Sequence, residues 1–166
     1  MAKGNNTSNR NLYIWLGLLV MVILFFSSSQ TYEQQSQISF LSRVLSGQPF
    51  AETLSGIQFN YAGSPVSMEA KGYFGFVEFF VRKGAHFLTY FILGGAGFLG
   101  LQYRINQMAL TGLVSWLAAT GYAALDEYHQ MLTGGRSPLF QDVILDSIGA
   151  ATAIILCIIV MLWRRR

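Results

Sequence analysis

Long apolar runs alternate with short polar stretches along this chain. Residues 12–26 carry no charge, and with 27–30 they reach the roughly 20 residues that a helix needs to cross a bilayer. Three more runs follow at 84–103, 108–125 and 143–163. The last of these holds a single charge, Asp146, one helical turn from its start. Only 104–107 separates the second run from the third, which predicts an antiparallel helical hairpin. The pattern therefore predicts one all-α, polytopic membrane domain over 1–166 with four transmembrane helices. It also leaves a long connection, 31–82, between the first helix and the second. Within 32–45, Ile38, Leu41, Val44 and Leu45 recur at helical spacing. That spacing predicts an amphipathic helix, lying on the membrane surface or packed against the bundle. Gly56, Gly63, Ser64 and Pro65 mark turns, and 72–81 is rich in Phe and Tyr, as at a membrane–water boundary.

Composition agrees with this reading. Hydrophobic residues make up 52% of the chain and charged residues 11%, against about a quarter charged in a water-soluble domain. The single cysteine, Cys157, cannot form an intrachain disulfide. The basic residues are scattered or lie beside membrane segments, so a nucleic-acid partner is disfavoured and lipid is the expected surrounding. If all four runs span, Lys3, Arg10, Arg104 and Arg164–Arg166 share one side with no acid. All eight acids then lie on the other side, with Arg43, Lys71, Arg82, Lys83 and Arg136. The positive-inside bias places both termini in the cytoplasm and the acids outside, in a bacterial cytoplasmic membrane. Arg82 and Lys83 run against that bias, which suggests a use for them. The first run, with Lys3 and Arg10 before it and Ser27-Ser28-Ser29 after it, also resembles a secretory signal peptide. Retention is the expectation, because the remaining segments pair well with a first helix.

Between 126 and 149 the sequence gathers Asp126, Glu127, His129, Gln130, Arg136, Asp142 and Asp146. Charged groups at the ends of membrane helices are costly, and they mark a functional site or a buried network. Lys83, His86 and Tyr90, spaced i, i+3 and i+7, share one helical face that continues into Gly94 and Gly97. Small residues there, and Gly149 and Ala153 in the last run, would let helices approach closely within or between chains. Asp126, His129 and Gln130 share a face if the third helix runs past Leu125. Asp142 and Asp146 form another i, i+4 face, with Asp142 placed to cap the last helix. Asp146 lies deeper and needs a partner, for which Lys83 or Arg136 is the expectation.

Two blocks, K-G-A-H-F at 83–87 and D-E-Y-H-Q to G-R-S followed by D-V-I-L-D-S-I-G, resemble the VanZ-like family of bacterial integral membrane proteins. Lys83, His86, Phe87, Asp126, Gln130, Arg136, Asp142 and Gly149 carry the resemblance, and Asp146 stands where some members have Asn. The named member of that family is associated with low-level resistance to teicoplanin, a glycopeptide that binds cell-wall precursors outside the membrane. The resemblance thus implies a theme of the cell envelope and antibiotic resistance, with no catalytic role to carry over. The residues themselves leave three readings open. Lys83, Arg136 and the acids could tie helix ends together. They could hold an anionic envelope ligand, such as a lipid-linked precursor or the target of a glycopeptide. The chain could also be a membrane enzyme acting on a lipid-linked or peptide substrate, with His86 or His129 moving protons. No catalytic motif, cofactor-binding motif or H-E-x-x-H pairing is present.

Overall fold

The computed structural model describes residues 4–133 and 138–166, with side chains described from Asn11 onward. Four long helices dominate it: α1 (Gly4–Ser28), α5 (Met68–Ile105), α6 (Met108–Leu132) and α7 (Phe140–Trp163). Each contains a stretch long and apolar enough to cross a membrane. Their lipid-facing sides stay open, as with Trp15, Leu88, Leu117 and Ile155. The inward sides carry small residues, among them Ala96, Ala119, Ala123, Ala150 and Ala153. In lipid there is little hydrophobic gain from helix pairing, so close packing of small residues supplies the attraction.

Side-chain contacts fix the order of the bundle. Arg104 Nη2 donates to Asn11 Oδ1 at 2.9 Å, so α1 and α5 run antiparallel. Ser147 Oγ meets Trp116 Nε1 at 2.9 Å and Thr120 Oγ1 at 2.8 Å, which joins α6 to α7. Tyr122 Oη donates to Met21 O at 2.6 Å, and Ser28 Oγ to Asp126 Oδ1 at 2.5 Å, so α1 and α6 are parallel. The helices therefore alternate in direction. Arg104 and Arg164–Arg166 fall at one end, and Lys83, Asp126, Asp142 and Asp146 at the other.

The tightest seam joins α5 to α7. A Cβ on Gly149 would stand 2.5 Å from Phe87 O, and one on Gly94 would stand 2.7 Å from Ala150 Cα and O. Backbone meets backbone at both points, so these glycines are required by space. Gly100 lies close to α1 as well, but there a Cβ would meet a side-chain tip, Ile14 Cδ1, at 2.5 Å.

The second helix departs from the expected start at 84. It begins at Met68, capped by Ser67 Oγ accepting from Ala70 N, and is kinked at Gly72 (φ 67°). The stretch 73–105 alone is about 50 Å long, well beyond the roughly 30 Å hydrocarbon core. Its Phe- and Tyr-rich first turns thus form a stalk continuous with the membrane helix. The expected amphipathic helix over 32–45 is also broken in two. Thr31 opens α2 (Tyr32–Gln35) with a capping box, and α3 (Ile38–Val44) follows after an extended Ser36. Gln37 N donates to Glu78 Oε1 at 2.5 Å, and that tertiary bond replaces the helical one at the break. Leu41 is buried, while Ile38 and Val44 are exposed. After α4 (Ala51–Ser55), the turn residues Ala62 and Gly63, both at positive φ, close a short antiparallel hairpin of β1 (Phe59–Tyr61) and β2 (Ser64–Val66).

Candidate functional site

The polar end of the bundle divides into an inner buried half and an outer open half. The inner half centres on Asp126, which is 5% exposed. Its two carboxylate oxygens accept from Ser28 Oγ at 2.5 Å and from Gln130 Nε2 at 3.1 Å. Thr133 Oγ1 donates to Ser28 O at 3.1 Å, so the end of α6 is stitched to the end of α1. His129 leaves this group and stacks on Phe25, with ring centroids 4.6 Å apart and planes inclined by 23°. Its Nε2 lies 3.5 Å from Ser29 Oγ. The shared face of Asp126, His129 and Gln130 thus exists, and its partner is α1, which the sequence did not indicate.

Between α5 and α7 the predicted faces meet rung by rung. Lys83 Nζ lies 2.5 Å from Asp142 Oδ1, and His86 Nδ1 lies 3.4 Å from Asp146 Oδ2. Among the described residues Asp146 is therefore partnered by His86, in place of the expected Lys83; the other expected partner, Arg136, lies outside them. One turn of α5 separates Lys83 from His86, and one turn of α7 separates Asp142 from Asp146, so parallel helices bring matching positions level. Asp146 Oδ1 and the Tyr90 hydroxyl, both buried, have no hydrogen-bond partner among the described residues. Asp142 does not cap α7. The N-cap is Leu139, which has no capping side chain, and Asp142 sits in the first turn, where its charge favours the positive end of the helix dipole. Glu127 supplies the missing acceptor by taking a bond from Leu139 N at 2.7 Å. Arg136 lies outside the described residues.

The outer half is an open cleft of about 350 Å³ beneath the hairpin. Its walls include Lys71, Glu78, Phe79, Arg82 and Lys83 from α5, Glu127 and Gln130 from α6, Asp142 from α7 and Tyr61 from β1. Tyr61 Oη donates to the same Asp142 oxygen, at 2.5 Å, that accepts from Lys83. Lys83 Nζ stands 4.8 Å from the Tyr61 ring centre and 5.6 Å from that of Phe79, a cation–π arrangement. Burial, then the bond to Asp142 and the charges of nearby acids, push the Tyr61 hydroxyl well above its usual range. It therefore stays protonated and donating.

A second cleft of about 340 Å³ opens on another side of α5, between it and the α1–α2 connection. Arg82 lines both clefts. Its guanidinium lies 4.8 Å above the Tyr32 ring, and Nη2 donates to Gln35 Oε1 at 3.3 Å. Nη1 is buried with no acceptor among the described residues.

Tyr61, Lys71 and Glu78 were not among the expected site residues, and Arg82 was singled out only by its place against the charge bias. Glu78 carried a usable signal, as an acid inside the aromatic run 72–81. Tyr61 carried none, because only the docked hairpin brings it to Asp142.

A model of the VanZ/LLP1 family matches residues 13–162, nearly the whole chain. The chain belongs to the VanZ-like family. The expected family, the all-α polytopic fold and the multi-pass membrane character are thereby established together. Searches of the curated proteins and of the solved structures give no match. Membership in the VanZ-like family points to a membrane protein linked to glycopeptide resistance.

Proposed function

We propose that this VanZ-like protein acts at the outer face of the bacterial cytoplasmic membrane, with the cleft between Lys71, Arg82 and Lys83 holding an anionic envelope ligand. Its N- and C-termini would face the cytoplasm. Through that ligand, such as a lipid-linked cell-wall precursor, it would alter susceptibility to teicoplanin-type glycopeptides.

One observation carries this reading. The cleft is lined by three cations and three acids, and each acid accepts a hydrogen bond from elsewhere in the chain. Glu78 accepts from Gln37 N, Glu127 from Leu139 N, and Asp142 from both Lys83 and Tyr61. Lys71 makes no ion pair among the described residues, and Arg82 keeps a nitrogen without an acceptor. Two cationic side chains thus keep donors without a carboxylate partner among the described residues, in a cavity whose size suits a small ligand site. A network that only fastened helices would need neither the cleft nor these donors. The inner half, around Asp126, fits that fastening role.

The test compares two kinds of variant in a strain whose teicoplanin susceptibility depends on the protein. Lys71→Gln and Arg82→Gln should accumulate normally and restore susceptibility. If both accumulate and leave susceptibility unchanged, the cleft is not the working site. A second reading, proton transfer by an enzyme, draws on the His86–Asp146 pair, because an imidazole held by a carboxylate at Nδ1 can accept a proton at Nε2. It predicts that His86→Gln abolishes the phenotype while leaving anion binding intact.

A further inference from the structure

We propose that the two clefts are halves of one site parted by Arg82, and that the site takes a glycosyl phosphate. The phosphate would lie with Lys71, Arg82 and Lys83, and the sugar in the second cleft. This rests on the anion-binding reading above and extends it to the class of ligand.

The second cleft differs in chemistry from the first. Among the described residues no acid and no lysine lines it, and its walls bring together Gln30, Gln34, Gln37 and Ser36 beside Arg82 and His86. Carboxamides present donors and acceptors together, which is what a ring of hydroxyl and acetamido groups needs and what a phosphate does not. Gln30 and Gln37 are exposed, and their side chains make no hydrogen bond among the described residues. They are therefore available to a ligand.

Arg82 is what joins the halves. It lines both clefts, its ring-stacked guanidinium is fixed from one side by Tyr32 and Gln35, and Nη1 lacks an acceptor among the described residues. A buried guanidinium nitrogen left without an acceptor is costly, and a phosphate oxygen is a fitting one. Because Arg82 lines both clefts, a phosphate held against its guanidinium would extend its ester substituent toward the glutamines. The two volumes, about 350 and 340 Å³, are each within the range of about 300–1,000 Å³ typical of small-molecule sites.

The experiment uses the full chain purified into phosphatidylcholine nanodiscs, with affinities from calorimetry at neutral pH. The probes are methyl phosphate and N-acetylglucosamine 1-phosphate, which carry the same phosphomonoester. The sugar phosphate should bind at least 10-fold more tightly than methyl phosphate. The double variant Gln30→Ala, Gln37→Ala should lose that advantage and keep its affinity for methyl phosphate, and Lys71→Gln should weaken both probes. Equal affinities in the unaltered protein overturn the two-part site while the anion reading stands, as does an advantage that survives the double variant. No binding of either probe overturns the anion reading itself.

Discussion

Asp126 and Asp142 lie at the same end of the molecule but do different work, and the difference is set by what their oxygens accept. Asp126 is shut away with Ser28 and Gln130, each of which loses a hydrogen bond if the carboxylate is removed. Asp126→Ala should therefore destabilise by about 1–3 kcal/mol, the cost of buried hydrogen bonds lost. Thermal unfolding in detergent should show the loss, and an unchanged melting temperature would contradict the fastening role. Asp142 lies at the edge of the open cleft, where its Oδ1 holds Lys83 and the hairpin's Tyr61 together. Tyr61→Phe should leave the bundle intact and loosen the hairpin, seen as faster proteolysis at 59–66. The pH sign follows from the raised Tyr61 hydroxyl. A proton-bearing donor with an elevated pKa contributes stability below its unfolded value of about 10 and loses it only as pH rises through the folded value. Hairpin docking should thus be flat across neutral pH and fail at strongly alkaline pH, as hydrogen exchange of 59–66 would record.

At the scale of elements, α5 and α7 are held by two kinds of contact in series. The Lys83–Asp142 ion pair and the His86–Asp146 contact give way to a seam of Gly94, Gly95, Gly149 and Ala153. The glycine contacts leave no room for a methyl group, since Phe87 O and Ala150 Cα are backbone and cannot turn aside. Gly149→Ala and Gly94→Ala should each lower membrane accumulation several-fold, because overpacking of a tight contact commonly costs 1–3 kcal/mol. Gly84 and Gly121 face open space. Gly84→Ala and Gly121→Ala should accumulate like the parent on immunoblots of isolated membranes. Equal loss at all four positions would deny the seam its special role. The kink at Gly72 and the capped start at Ser67 likewise turn an aromatic stretch into a stalk that carries Lys71, Glu78 and Arg82 above the membrane helix.

For the whole molecule, the alternating helix directions place Arg104 and Arg164–Arg166 at one end and the acids at the other. In the proposed orientation the positive end lies in the cytoplasm, where anionic lipid favours it. A cysteine introduced at Ser64, on the exposed hairpin, should then react with a membrane-impermeant maleimide in intact cells after Cys157→Ser. One introduced at Arg166 should react only after the cells are opened. The reverse pattern would overturn the orientation and, with it, the envelope ligand.

Periodicity and composition alone determined four spanning helices, their alternation and the end at which the charges gather. Hydrophobic length and charge asymmetry are one-dimensional properties, and lipid forces them onto the fold. Helical spacing also placed Lys83, His86 and Tyr90 on one face and Asp142 and Asp146 on another. Which rung met which was a matter of register between parallel helices, and that gave Lys83 to Asp142 and His86 to Asp146. The role of α1 in holding Asp126, the break between α2 and α3, and the hairpin that brings Tyr61 to the cleft depend on contacts across about 40 to 100 residues of sequence. No local pattern encodes such contacts, because the groups concerned are ordinary serines, glutamines and tyrosines until packing places them beside a buried charge.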